Sequence, residues 1–274
     1  MESVDGFVLV QNKTRKLKKK HKNTLKFTHS SDDHSFDPSA FRKRLNEVKD
    51  VVSGSNFCSK LGLHLDHLFP LSKSFESIVS YGIGHVGTSR IARVQYANLL
   101  LIRSSLKKEA QATSSVKTYL FDPVLTVQEK SEISADDVDV IDINEECRRN
   151  VDSKTTLFYM PHCDKPMYEN VLWANWNPED LKRVVFFGNS FRLIGERTLK
   201  NVLRDAAPLL ARVIEKGMFR EKTYEVDSEI DDDVFNDCCL TWFDVHDSVD
   251  AHFWLKPEMP VSCTPQELVS MSLK

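Results

Sequence analysis

Glycines 82, 84 and 87 fall at the spacing G-x-G-x-x-G inside "SYGIGHVGTSRIARVQYANLLLI", Ser80 to Ile102. In that pattern glycine permits a positive φ and lets a ligand approach the backbone, and the unpaired amides of the helix that follows attract an anion. Gly82, Gly84, Gly87 and Ser89 are therefore candidate ligand-binding residues. The same glycines would also serve a plain strand-to-helix turn, and spacing alone does not choose between the two. A dinucleotide site asks further for an acidic residue about 20 positions on, at the end of the second strand. Asp122 stands at such an end, in "VKTYLFDPV", but 35 positions after Gly87 and in front of a proline.

Two more strand ends carry chemistry. "TTLFYMPHC" ends on His162 and Cys163, and "LKRVVFFGNSF" on Asn189 and Ser190. Imidazole and thiolate are both axial ligands of haem iron, so His162 and Cys163 are candidate haem or metal ligands. Adjacent residues at a strand end point opposite ways, which argues against a nucleophile and base pair. Asn189 and Ser190 join the candidate ligand-binding residues, and no catalytic set is assembled.

The elements that must position these residues read as short apolar runs separated by helical stretches. "SFESIVSYGIG", "VKTYLFDPV", "VDVIDIN", "TTLFYMPHC" and "LKRVVFFGNSF" read as five strands, apolar at consecutive positions as in a parallel sheet covered on both faces. Helical stretches are expected at Ser89–Leu106, Thr126–Ile133, Glu145–Asn150, Lys165–Trp173 and Leu199–Lys216, after amphipathic segments near Asp37–Ser53 and Phe57–Phe69. This alternation predicts an α/β fold: a single doubly wound, mostly parallel sheet, a Rossmann-like three-layer sandwich. The acidic stretch Glu225–Asp237 is expected to be a surface loop leading to a last strand, "CLTWFDV". The domain is expected to span 38–256, between a flexible basic tail at 1–37 and a C-terminal tail at 257–274.

Composition narrows the function classes. The chain has 274 residues, 37 Lys+Arg and 40 Asp+Glu, with 41% hydrophobic residues and a mean hydropathy of -0.36. Its first 50 residues hold 12 Lys+Arg against 7 Asp+Glu, and "KTRKLKKKHK" at Lys13–Lys22 concentrates that charge. The basic tail is either a solvated segment or a nuclear-import or polyanion-binding patch. The rest is net acidic and carries no nucleic-acid footprint. No apolar run approaches the ~18–20 residues of a membrane span. Six scattered cysteines without C-x-x-C spacing read as free thiols in a reducing compartment, which places the protein in the cytoplasm, the nucleus or both.

Taken in order, "YGIGHVGTSRIARVQYANLLLI", "FDPVLT", "TLFYMPHCDKPMYENVLWANW", "VVFFGNSF" and "FNDCCLTWF" resemble the Sensitivity-to-Red-Light-Reduced, or SRR, domain family over Phe75–Phe243. "MPHC" and "LWANW" are far more specific than the glycine spacing. The resemblance implies an intracellular regulatory protein of circadian-clock input and clock-gene expression, with haem binding and regulation of haem synthesis, and with no established reaction. It marks Gly82, Gly84, Ser89, Gln95, Asp122, Pro161, His162, Cys163, Asn175, Trp176, Asn189 and Ser190 as signature positions. Cys238-Cys239 stand where small hydroxyl residues are expected. Two readings follow: a non-catalytic regulator acting through a ligand, haem or protein partners, and a Rossmann-like enzyme using a nucleotide-type cofactor, such as a methyltransferase or dinucleotide-dependent enzyme.

Overall fold

Successive residues of each central strand send their side chains to opposite faces, and in this chain both faces are apolar. Leu157 and Tyr159 pack into one core and Phe158 and Met160 into the other; Val185 and Phe187 alternate with Val184 and Phe186 in the same way. Such strands cannot face water on either side, so helices must cover both. The computed structural model describes residues 36–68, 75–109, 116–227, 230, 233–245 and 250–258, and it has this three-layer arrangement. The basic run Lys13–Lys22 and residues 259–274 lie outside the described residues.

The strands are β1 (Ser77–Tyr81), β2 (Lys117–Phe121), β3 (Asp139–Val140), β4 (Thr156–Met160), β5 (Val184–Asn189), β6 (Phe219–Thr223) and β7 (Cys238–Phe243). They form one sheet in the order β3-β2-β1-β4-β5-β7-β6. β1 to β5 are parallel, and β7 runs antiparallel between β5 and β6. The order reverses between β1 and β4, which makes their carboxyl ends the switch point of the sheet.

One face is covered by α1 (Pro38–Ser53), α2 (Asn56–Leu68) and α3 (Arg90–Glu109), with Ile133 of α4 (Val127–Ala135) added at the side. Asp37 caps α1 by accepting from the Ser39 and Ala40 amides, and Pro38 supplies the pre-set φ of a first turn. Arg42 of α1 pairs with Glu132 and Asp136 and so ties α1 to α4. The other face holds α5 (Lys165–Ala174), the short α6 (Pro178–Leu181), α7 (Phe191–Arg197), α8 (Lys200–Ala206) and α9 (Pro208–Lys216).

Four expectations are corrected. Glu145–Asn150 is not helical but a turn-rich loop in which Glu146 and Cys147 have φ of 52° and 61°. Here tertiary hydrogen bonds outcompete local ones: Asn170 donates to the Glu146 carbonyl, Asn175 to the Arg149 carbonyl, and the Val151 amide to Asn175. The expected helix at Leu199–Lys216 is two helices, broken where Pro208 starts α9. The expected third strand contracts to Asp139–Val140 at the sheet edge. Finally, the acidic stretch is not wholly a surface loop, because Ile230, Val234 and Phe235 are buried in the core with α2, and Phe57 stacks on Phe235 at 4.7 Å. The polar edge strand β6 was not anticipated.

The packing is tight where β4 and β5 meet α5. A Cβ on Gly188 would come within 2.7 Å of the Met160 carbonyl and strike the Tyr168 hydroxyl, which itself donates to that carbonyl. Gly188→Ala is expected to destabilise the protein by roughly 1–3 kcal/mol through overpacking. The check is a lowered denaturant midpoint with an unchanged m value.

Candidate functional site

The glycine turn is built as the sequence suggests. Gly82 and Gly84 have φ of 70° and 79°, a region that side-chain-bearing residues rarely occupy. Ser89 caps α3, accepting from the Ala92 amide at 3.2 Å. Four amides of the turn, those of Gly82, Gly84, Gly87 and Ser89, however, already have partners. The Gly82 amide donates to the Phe121 carbonyl and the Ser89 amide to the His85 carbonyl. The Gly84 amide donates to Asp122 at 2.7 Å and the Gly87 amide to Glu129 at 2.8 Å.

Asp122 is therefore held inside the protein. It is 3% exposed and also accepts from the Val124 amide. Burial raises its pKa, and the hydrogen bonds from Val124 and Gly84 only partly offset this. Glu129 is 2% exposed, accepts from the Thr126 amide and is paired with His85. Burial pushes its pKa up as well, but the amides of Thr126 and Gly87 together with His85 bring it below the ordinary glutamate value. Sequence reasoning missed Glu129, although Thr126-Val-Gln-Glu129 has the S/T-x-x-E spacing of a capping box, and that box is formed.

Above the switch point the expected crevice is filled by Cys163. Its thiol donates to the Tyr81 carbonyl at 3.3 Å, and a Cβ on Gly82 would meet its sulfur at 2.8 Å. The rim therefore does not present a thiol, which corrects the expectation for Cys163. Burial holds that thiol well above the usual cysteine range, so the group is a packed thiol rather than a thiolate. His162 leaves the same loop toward the other face. Its backbone is left-handed at φ 57°, its amide donates to Asn189, and its Nε2 lies 2.9 Å from the Val234 carbonyl. The two residues thus part to opposite faces of the sheet. Cys163 does not fit a haem ligand, because its thiol is sealed on the Tyr81 carbonyl; at His162 one ring nitrogen is held by a carbonyl, which leaves the other as the ligating atom.

An open cleft lies one strand over. It has a volume of about 280 Å³ and is lined by His162, Lys165, Asn189, Ser190, Arg197 and Asp237, with Asn236 beside them. Asn189 locks the β4 loop by donating to the Cys163 carbonyl at 2.8 Å, while its own amide donates to Tyr168. Ser190 caps α7 and donates to Glu221 of β6, whose carboxylate also takes the Phe191 amide at 2.5 Å. Arg197 pairs with Asp237. Lys165 makes no ion pair or hydrogen bond among the described residues and borders the cleft from the first turn of α5. The structure brings His162, Asn189 and Ser190 together here; Gly82, Gly84, Gly87, Ser89 and Asp122 lie at the β1 and β2 ends, with Cys163 against Gly82.

Most signature positions thus satisfy backbone groups. Gln95 donates to the Val234 carbonyl, Asn175 holds Val151 and Arg149, and Trp176 donates to the Phe253 carbonyl. No group of His, Cys, Asp or Glu among the described residues has a metal-binding arrangement. None of their helices is long and apolar enough to cross a membrane.

With the geometry in place, comparison with known proteins is decisive for the family. The model of the SRR1 domain matches residues 41–242. The chain belongs to the SRR1 family. It is 32% identical over 211 residues to an SRR1-like protein of Mus musculus, covering 66% of this chain and 83% of that one. It is 28% identical over 236 residues to an SRR1-like protein of Drosophila melanogaster, covering 84% and 79%. The Arabidopsis thaliana protein SENSITIVITY TO RED LIGHT REDUCED 1 is 36% identical over 120 residues, 44% of this chain and 42% of the relative. No solved structure is a significant match.

The two turn carboxylates give opposite pH signatures. A pKa depressed below 4.5 means that Glu129 contributes stability above that pH, which is lost as pH falls through the folded value; raised above 3.8, Asp122 costs stability as pH rises through its own. Glu129→Gln puts an amide NH2 where one N–H now donates, and is expected to cost about 1–3 kcal/mol at pH 7. Urea midpoints of wild type and variant should converge as the pH is lowered from 7 to 3.

Proposed function

We propose that this SRR1-family chain is a regulatory protein that works by binding a polar ligand or partner segment at the β4–β5 cleft, without turnover. The observation that carries this reading is the state of the backbone amides. At the glycine turn they are spent on Asp122 and Glu129, and at the start of α7 on Glu221, so the reading as an enzyme with a nucleotide-type cofactor loses the anion cradle it requires. Lys165, which has no bonded partner among the described residues, and the polar rim of the cleft around it suit recognition rather than nucleophilic or acid–base chemistry.

The pathway we assign is light and circadian-clock input, with regulation of clock-gene expression. Its support is the family and the red-light sensitivity in the name of the Arabidopsis relative. We extend regulation of haem synthesis to this chain as a downstream effect rather than as haem held by the 162–163 pair. We place the protein in the cytoplasm and nucleus, with the basic run Lys13–Lys22 as the import signal.

Lys165→Glu reverses the charge at the cleft and breaks no pair among the described residues. The variant should fold with an unchanged melting temperature yet fail to restore the light-dependent clock phenotype in cells that lack the native gene. Full rescue would refute the cleft as the working surface, and micromolar binding of S-adenosylmethionine or a dinucleotide would restore the enzyme reading. In a hemin titration the Cys163→Ala spectrum should match that of wild type. Deletion of residues 13–22 should remove the nuclear fraction of a fluorescent fusion.

A further inference from the structure

Arg93 is an arginine buried in the first turns of α3 with no counter-ion among the described residues. It is 4% exposed, and arginine is almost never that buried unless it is paired. One guanidinium nitrogen donates to the Gly87 carbonyl at 2.8 Å, while Nε has no hydrogen-bond partner among the described residues. No carboxylate among the described residues bonds to it. The two carboxylates bonded to the glycine turn are otherwise engaged, Glu129 with amides and His85 and Asp122 with the Gly84 and Val124 amides.

The surroundings add positive charge. Arg90 precedes Arg93 by three residues on the same helix, where side chains are neighbours. Arg44 comes from α1, which packs along α3. Burial first, and then these two like charges, push the Arg93 pKa down to about 10. Arg93, buried beside other positive charge at the positive end of a helix dipole, has no anion bonded to it among the described residues.

We propose that Arg93, with Arg44 and Arg90, is a receptor for a phosphomonoester at the start of α3. Two or three guanidinium groups match the geometry and charge of a phosphate dianion, whereas a single carboxylate neutralises only one of them. The site is separate from the β4–β5 cleft, and its test does not depend on the function assigned there. One source of the phosphate is close in sequence. The ring of Phe36 lies over Gly87, where a Cβ would meet it at 2.7 Å. The sequence just before it, Thr28 to Ser35, carries the hydroxyls of Thr28, Ser30, Ser31 and Ser35. A free phosphorylated small molecule is the other source.

The test uses the full chain with inorganic phosphate and with phosphoserine, followed by melting temperature and 31P NMR titration. Wild type should show a saturable response. Arg93→Met should abolish it, and because a buried unpaired charge is replaced by an apolar side chain of similar length, that variant should fold at least as stably. Arg44→Ala, at an exposed position, should weaken phosphate about tenfold, the loss of one charge-assisted hydrogen bond, and keeps the test alive should Arg93→Met not fold. A wild type with no saturable response, or an Arg93→Met variant that folds and responds equally, overturns the proposal. Chain phosphorylated within 28–35 distinguishes the sources. Loss of its response to added phosphate assigns the receptor to the chain's own segment, and a retained response assigns it to a free ligand.

Discussion

The bond from the Gly84 amide to Asp122 fixes what the rest of this sheet edge can be. In an open parallel sheet the carboxyl ends at the switch point are where ligands settle, because unpaired amides and helix dipoles converge there. Here a carboxylate from the end of β2 and another from α4 reach across and take those amides. A fixed carboxylate on backbone amides reproduces the interactions that a bound phosphate would make, so the turn is held in a ligand-like state by the chain itself. The desolvation cost is visible at Asp122, whose pKa is raised even with two amide donors.

The same device recurs around the molecule. Glu169, 1% exposed, receives the Leu209 and Leu210 amides at the start of α9. Glu221 receives the Phe191 and Arg192 amides at α7, and Asp227 the Phe57 amide at α2. Each joins a helix start to an element remote in sequence, so orphan amides become tertiary links. Short helices such as α7 and α9, too short to be stable alone, are thereby held in place, α7 beside the cleft. Where these buried anions do meet a cation, His85 at Glu129 and Arg192 at Glu221, the amides remain as further donors to the carboxylate.

How much of this was legible in the sequence depends on whether the signal was local. The five parallel strands were, because consecutive apolar residues bounded by helical patterns have few other solutions, and Gly82 and Gly84 stand in the left-handed conformations their spacing suggested. The placement of Asp122 at the end of β2 was legible as well. Its direction was not: whether a carboxylate faces solvent or folds back onto an amide 38 residues away is decided by packing. Cys163 failed for the same reason, since nothing local says that a thiol at a strand end will turn down onto Gly82. The loop at Glu145–Asn150 reads as helix by propensity and loses to side-chain amides of α5 and Asn175. β6, "FREKT", has no apolar alternation to see because it is an edge strand whose order comes from β7.

Charge at the glycine turn is arranged against the simplest electrostatic expectation. Two carboxylates and one guanidinium are buried within the same few residues, and attraction alone would pair them. Instead both carboxylates are directed at amides, and Arg93 is left with a carbonyl. A hydrogen bond to a carbonyl satisfies an N–H but leaves the net charge uncompensated in a low-dielectric site. An isolated fold optimised only for stability would replace that arginine with an apolar side chain, as buried ion pairs can be replaced without loss. Its presence at the start of a long helix, beside two further arginines, is a cost that folding does not explain and that an anion arriving from outside the described residues would recover.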